Sequence, residues 1–210
     1  MMQQFLIIFL AMMAAQFSWA AGDVAHGEQL AQTCVACHGV QGNSSVGQFP
    51  KLAGQSAKYI AKQLQDIQSG KRSVPAMMSM VSNFSERDRQ DIGAYFQQQK
   101  VSAGAAKKEF VALGQKVYRS GDVKNGQPAC SACHGATGEG VPAAGFPALK
   151  GQHADYIAAQ LKAFRSAGRE DLDGSAQRAN DGDSLMMRSV AAKLSDKEIQ
   201  AVSSYISGLR

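Results

Sequence analysis

The chain repeats itself, and the repeat constrains its organisation before any element is assigned. Cys34-Val35-Ala36-Cys37-His38-Gly39 returns 96 residues later as Cys130-Ser131-Ala132-Cys133-His134-Gly135. Phe49-Pro50-Lys51-Leu52-Ala53-Gly54-Gln55 returns as Phe146-Pro147-Ala148-Leu149-Lys150-Gly151-Gln152 at an offset of 97, and Tyr59 with Gln63-Leu64 matches Tyr156 with Gln160-Leu161 in the same register. Farther on, Phe84-Ser85 and Tyr95 match Leu194-Ser195 and Tyr205 at an offset of 110. The second copy therefore carries about thirteen extra residues around Arg169 to Ser184. One unit, duplicated and then lengthened at one place, explains these matches. It divides the chain into a first domain over 21–100, a linker over 101–107 and a second domain over 108–210.

Residues 1–20 precede the repeat and read as a secretory signal peptide. Phe5 to Ala15 is an apolar run of eleven residues, too short to span a bilayer, and Ser18-Trp19-Ala20 supplies the small residues an export peptidase reads. The start has no Lys or Arg, and an uncleaved anchor is the alternative. The expected mature chain is soluble, exported and in a compartment that permits disulfides. Apolar residues at 45% and charged residues at 19% exclude wholesale disorder and a multi-span membrane protein. A net charge of +5 is too mild to indicate nucleic acid.

The expected fold class is all-α. Gly27 to Thr33 and Phe110 to Arg119 read as helices ahead of the cysteines, and Ser56 to Ser69 and Ala154 to Ser166 carry apolar residues on one face. Ser195 with Glu198 forms a capping-box signature, and Ser85 with Asp88 a weaker one. Beyond them Ile92, Tyr95 and Phe96 share a helix face, as do Ile199, Val202, Tyr205 and Ile206. No sustained strand alternation occurs. Aromatic residues make up only 7%, so each small helical domain is short of core bulk unless something large fills its centre.

Cys-x-x-Cys-His supplies that filling. Two thiols at this spacing can form thioethers to one porphyrin, and the histidine directly after them can reach its iron. Two such motifs predict two covalently bound c-type haems, held by Cys34, Cys37, Cys130 and Cys133 with His38 and His134 as axial ligands. The alternatives are redox disulfides, which call for a βαβ pattern that the chain lacks, and structural zinc, which would draw its ligands from separate repeats.

For the sixth ligand, His26 and His153 do not occupy equivalent repeat positions, and His153 reads as a surface or interface residue. Met77 and Met187 each lie seven residues before the matched pair Phe84 and Leu194. A thioether is a soft, neutral ligand that raises the haem potential relative to a second imidazole. Met78, Met80 and Met186 are near enough to compete. Tyr59 and Tyr156 read equally as propionate partners or as packing. A loop carbonyl is expected to accept the Nδ1 proton of each motif histidine, but the sequence does not name it.

These motifs, with Asn180-Asp181-Gly182-Asp183-Ser184 ahead of Met186-Met187-Arg188, resemble the dihaem cytochrome c4 family over essentially the whole chain from Ala21. The resemblance implies two tandem class I cytochrome c domains in a pseudo-twofold arrangement, with haem edges near the domain interface. It implies haem attachment at the four cysteines and axial pairs His38 with Met77 and His134 with Met187. The short segment from Ser69 to Met77 departs from the family pattern. The implied function is electron transfer rather than enzymatic catalysis: a periplasmic carrier between a quinol-oxidising cytochrome complex and a terminal oxidase, with peripheral attachment to the membrane face. The alternatives are a dihaem peroxidase-like oxidoreductase and an electron-accepting subunit of a larger enzyme.

Overall fold

The computed structural model describes residues 22–171 and 176–210. The expected signal peptide lies outside the described residues, as does part of the insertion in the second domain. Among the described residues the fold is all-α, and its only β-type pairings are isolated bridges between Asp122 and Gln127 and between Val141 and Phe146. No described helix is long and apolar enough to cross a membrane.

The first half contains α1 (Val24–Ala31), α2 (Val35–His38), α3 (Ala57–Gln68), α4 (Pro75–Val81) and α5 (Glu86–Gln98). The second contains α6 (Lys108–Ser120), α7 (Ser131–His134), α8 (Ala154–Arg169), α9 (Met186–Ala191) and α10 (Asp196–Ser207). Helix α1 begins earlier than its apolar pattern suggests, because the Asp23 carboxylate accepts the backbone N–H groups of Ala25 and His26 at 3.0 and 3.1 Å. Both capping boxes are complete: Ser85 with Asp88 opens α5, and Ser195 with Glu198 opens α10. The short helices α4 and α9, which carry the methionines, have too few turns to be legible from periodicity. Pro75 at the first turn starts α4.

In each half the first and last long helices cross over a glycine. A Cβ on Gly27 would lie 2.0 Å from the carbonyl oxygen of Asp91, and one on Gly114 would lie 2.3 Å from that of Ala201. Only glycine permits so close a backbone approach. Around these crossings lie two separate cores. Ile60, Leu64, Ile67, Val81, Ile92 and Phe96 anchor the first, with Cys34 and Met77 packed against it. Val117, Tyr118, Ile157, Leu194, Ile199 and Val202 anchor the second, with Cys130 against it.

Candidate haem sites and the interface between them

Each Cys-x-x-Cys-His motif forms one helical turn that ends in a glycine of positive φ, 75° at Gly39 and 82° at Gly135. That conformation, which favours glycine, stops the helix directly after the histidine. None of the four cysteines is paired in a disulfide, and each is partly buried. Burial is the main influence raising the Cys34 thiol's pKa, and it pushes Cys130 up to about 11. Cys34 and Cys130 are set against the two apolar cores.

His38 and His134 are buried, with 6% and 7% of their surface exposed. The Nδ1–H of His38 donates to the carbonyl oxygen of Pro50 at 2.8 Å, and that of His134 donates to Pro147 at 2.9 Å. The two prolines are the carbonyl partners that the sequence left unnamed. Burial is the main influence holding both imidazoles below their ordinary pKa, against the opposing carbonyl bonds. The neutral tautomer with its proton on Nδ1 follows, leaving the Nε2 lone pair free to coordinate a metal. Phe49 and Phe146 set their rings beside these imidazoles, at centroid distances of 6.4 and 6.3 Å. Tyr118 fixes the second motif further by donating to the carbonyl of Gly135 at 2.7 Å.

The methionines differ in burial. Met77 is half-buried against the first core, whereas Met78 and Met80 are 39% and 43% exposed. Met187 is half-buried on α9, whereas Met186 is 46% exposed. Val40, Val46 and Phe49, together with Val141, Leu185, Met78, Met80 and Met186, leave large apolar surface near the motifs and the methionine helices. Cysteines against apolar cores, oriented imidazoles and uncovered apolar side chains fit an apolar macrocycle with a central metal. Among the described residues no group of three or more His, Cys, Asp or Glu is placed to hold a metal ion without such a macrocycle.

The repeated Phe-Pro-x-Leu-x-Gly-Gln segment also builds the interface between the domains. Gln152 Oε1 accepts the backbone N–H of Lys51 and its Nε2 donates to the Lys51 carbonyl, both at 2.9 Å. Gln55 treats Ala148 identically, with both bonds at 3.0 Å. Lys51 and Ala148 are repeat equivalents, as are Gln55 and Gln152, so the contact is an approximate twofold. His153 is an interface residue, donating from Nε2 to the Ser44 carbonyl at 2.8 Å.

Deeper in the interface the symmetry continues with two arginines. Arg72 donates to Gln63 of its own domain at 2.9 Å, and to Tyr156 and Gln160 of the other at 2.9 and 3.3 Å. Arg178 donates to its own Gln160 at 2.8 Å and to Tyr59 and Gln63 across the interface at 3.1 and 3.0 Å. Sequence reading singled out neither arginine. The repeated Tyr59-Gln63 and Tyr156-Gln160 pairs were the available signal, but Arg178 lies in the insertion, where the repeat register is lost.

The cytochrome c family model matches residues 24–100 and 111–210. The chain is 50% identical over 190 residues to cytochrome c4 of Pseudomonas aeruginosa, with 90% of each chain covered. It is 35% identical over 203 residues to the thiosulfate dehydrogenase electron acceptor of Thiomonas intermedia, covering 92% of this chain and 83% of that one. The solved structure of reduced recombinant cytochrome c4 from Pseudomonas stutzeri matches with a TM-score of 0.84 and 47% identity, over 90% of this chain and 100% of that chain.

Proposed function

Since the chain belongs to the cytochrome c4 family and binds two covalent c-type haems, we propose that it is a periplasmic carrier of single electrons, passing them from a quinol-oxidising cytochrome complex to a terminal oxidase. Cys34 and Cys37 hold one haem and Cys130 and Cys133 the other, with axial pairs His38 with Met77 and His134 with Met187. Residues 1–20 direct export, and the mature protein associates peripherally with the membrane.

One observation carries the ligand assignment: each motif histidine is buried with its Nδ1 proton committed to a proline carbonyl. That bond holds the ring's orientation and tautomer, so Nε2 is presented without rearrangement. When bound, the haem supplies a reversible one-electron iron couple. The half-buried Met77 and Met187 are suited to the opposite axial position, where a neutral thioether favours the reduced state. Were Met77 and Met187 to complete the ligation begun by His38 and His134, neither iron would keep a position for peroxide, which would disfavour the peroxidase-like alternative.

A spectroelectrochemical titration of the mature holoprotein tests this. Two one-electron transitions that retain His/Met signatures are expected, and Met187→Ala should change the spectrum of the second haem alone and lower its potential. A vacant iron or loss of a ligand during the titration would overturn the assignment. Similarity to the thiosulfate dehydrogenase electron acceptor supports a second reading, as the acceptor of a sulfur-oxidising enzyme. Stopped-flow reduction by such an enzyme, compared with reduction by a quinol-oxidising complex, separates the two.

A further inference from the structure

The two methionine segments are held to different degrees. In the second domain the Asp181 carboxylate, with 5% of its side chain exposed, accepts both the backbone N–H of Arg188 at 2.9 Å and its Nε–H at 2.6 Å. Arg188 also donates from Nη2 to the Gly182 carbonyl at 2.8 Å, which closes the segment 181–188 into a ring. The Arg188 N–H shares a rigid peptide plane with the Met187 carbonyl, so Asp181 fixes the backbone of Met187 directly. The next carbonyl, that of Arg188, lies so close to Gly168 that a Cβ there would collide with it. Gly168 belongs to a final turn of α8 that α3 lacks: from matched starts α3 runs for 12 residues and α8 for 16. Arg169 in that same turn donates to the carbonyl of Ala192, the C-cap of α9, at 2.8 Å.

The start of α4 lacks a matching hold. Met78 stands 110 residues before Arg188, at the place the repeat pairs with it, and is 39% exposed. Val74, the N-cap of α4, provides no side-chain hydrogen bond, and the Met77 N–H donates to the Val74 carbonyl at 2.9 Å. Comparable support exists at the far end alone, where Gln68 donates to the Ser82 carbonyl at 2.8 Å.

Building on the His/Met reading above, we propose that the two haems differ in the hold on their sixth ligand: the Asp181–Arg188 clamp keeps Met187 in place, whereas the unclamped Met77 gives up its position to small nitrogen-donor ligands. The first domain is then a ligand-binding site as well as an electron carrier. A thioether is a soft donor that favours reduced iron, so in the oxidised protein the rigidity of the backbone decides whether it stays bound. Exchange breaks one iron–sulfur bond and makes one iron–nitrogen bond, with no electron transferred. Arg188 and Asp181 are positioning residues, acting through Met187.

The test mixes oxidised holoprotein with imidazole at fixed pH and follows the thioether-to-ferric-iron charge-transfer band. NMR signals of the ligand methyl groups, assigned with Met77→Ala and Met187→Ala, identify the haem that reacts. The first haem should exchange about tenfold faster than the second, the scale set by a hydrogen bond to a charged group. Arg188→Met, which gives the second domain the residue found in the first, should speed exchange at the second haem by a similar factor and leave the first haem unchanged. Arg188→Lys, which keeps the cation and the backbone bond, should remain closer to wild type. Equal rates at the two haems, a faster second haem, no exchange at either, or wild-type exchange in Arg188→Met would each overturn the proposal. If Arg188→Met does not fold, the near-isosteric Asp181→Asn gives the same readout. Oxidised wild type that lacks methionine signals at both haems would instead refute the His/Met reading itself.

Discussion

Gln152 grips the peptide of Lys51 from the other domain, accepting its N–H and donating to its carbonyl, both at 2.9 Å. The preceding residue, Pro50, supplies the carbonyl that orients His38. One short loop thus joins the docking of the domains to the setting of a candidate iron ligand, and Gln55 with Ala148 and Pro147 repeats the connection in the other direction. A displacement of one domain against the other would be transmitted to both histidines through a single peptide.

Gln152→Ala should loosen this clamp. It leaves two buried backbone groups of Lys51 without partners, at about 1–3 kcal/mol for each. Scanning calorimetry of the holoprotein should show two resolved unfolding transitions in the variant where wild type shows greater overlap. An unchanged profile would show that the domains unfold independently of this contact.

Among the clustered methionines of the first domain, burial separates Met77 from Met78 and Met80. Met77→Ala should abolish the thioether-to-ferric-iron charge-transfer band of the first haem, while Met78→Ala and Met80→Ala leave it in place. Loss of the band in either of the latter would reassign the ligand.

The glycine crossings leave no room for a methyl group. Gly27→Ala gains about 1 kcal/mol of helix propensity but places Cβ 2.0 Å from a backbone oxygen that no rotamer change can move. Overpacking of this kind costs about 1–3 kcal/mol, so net destabilisation is expected from urea unfolding. Gly114→Ala should behave in the same way in the second domain, where the corresponding distance is 2.3 Å.

The two capping boxes provide a matched pair. Ser85→Ala and Ser195→Ala each remove a hydroxyl that accepts a backbone N–H at the start of α5 or α10. Each should cost about 1 kcal/mol, read as a lowered urea midpoint.

His26 makes stability depend on pH near neutrality. Its Nδ1 donates to Asp91 Oδ2 at 2.9 Å, and that bond is the main cause of its raised pKa. A raised folded value favours the protonated ring. Its stabilisation is complete below the unfolded value of 6.5 and is lost as pH rises through the higher folded value. Burial disfavours charge on Asp91, but its bonds to His26, Asp23 and Arg87 outweigh this and lower its pKa. That contribution is complete above 3.8 and is lost only in acid. Between about pH 6 and about pH 8 the wild-type urea midpoint should therefore fall more than that of His26→Gln. Equal slopes would count against the pairing.

The local chemistry was legible in the chain. Cys-x-x-Cys-His spans five residues and a capping box four, so the identities that create these features sit beside one another in sequence. Duplication pairs Met77 with Met187 as candidate ligands, and only burial in the fold distinguishes them from Met78, Met80 and Met186. The second motif's support from Tyr118 was not legible, because nothing at the matching place in the first repeat signals it. The interface was legible only as a repeated motif without a role. Gln55 meets Ala148 and Gln152 meets Lys51 across about a hundred residues of chain, and these groups exchange water for one another only when two finished domains dock. Arg178 reaches Tyr59 from an insertion with no repeat partner to mark it. Covalent and capping chemistry is written in neighbouring residues, whereas the choice of partner for a buried polar group depends on the geometry of docking.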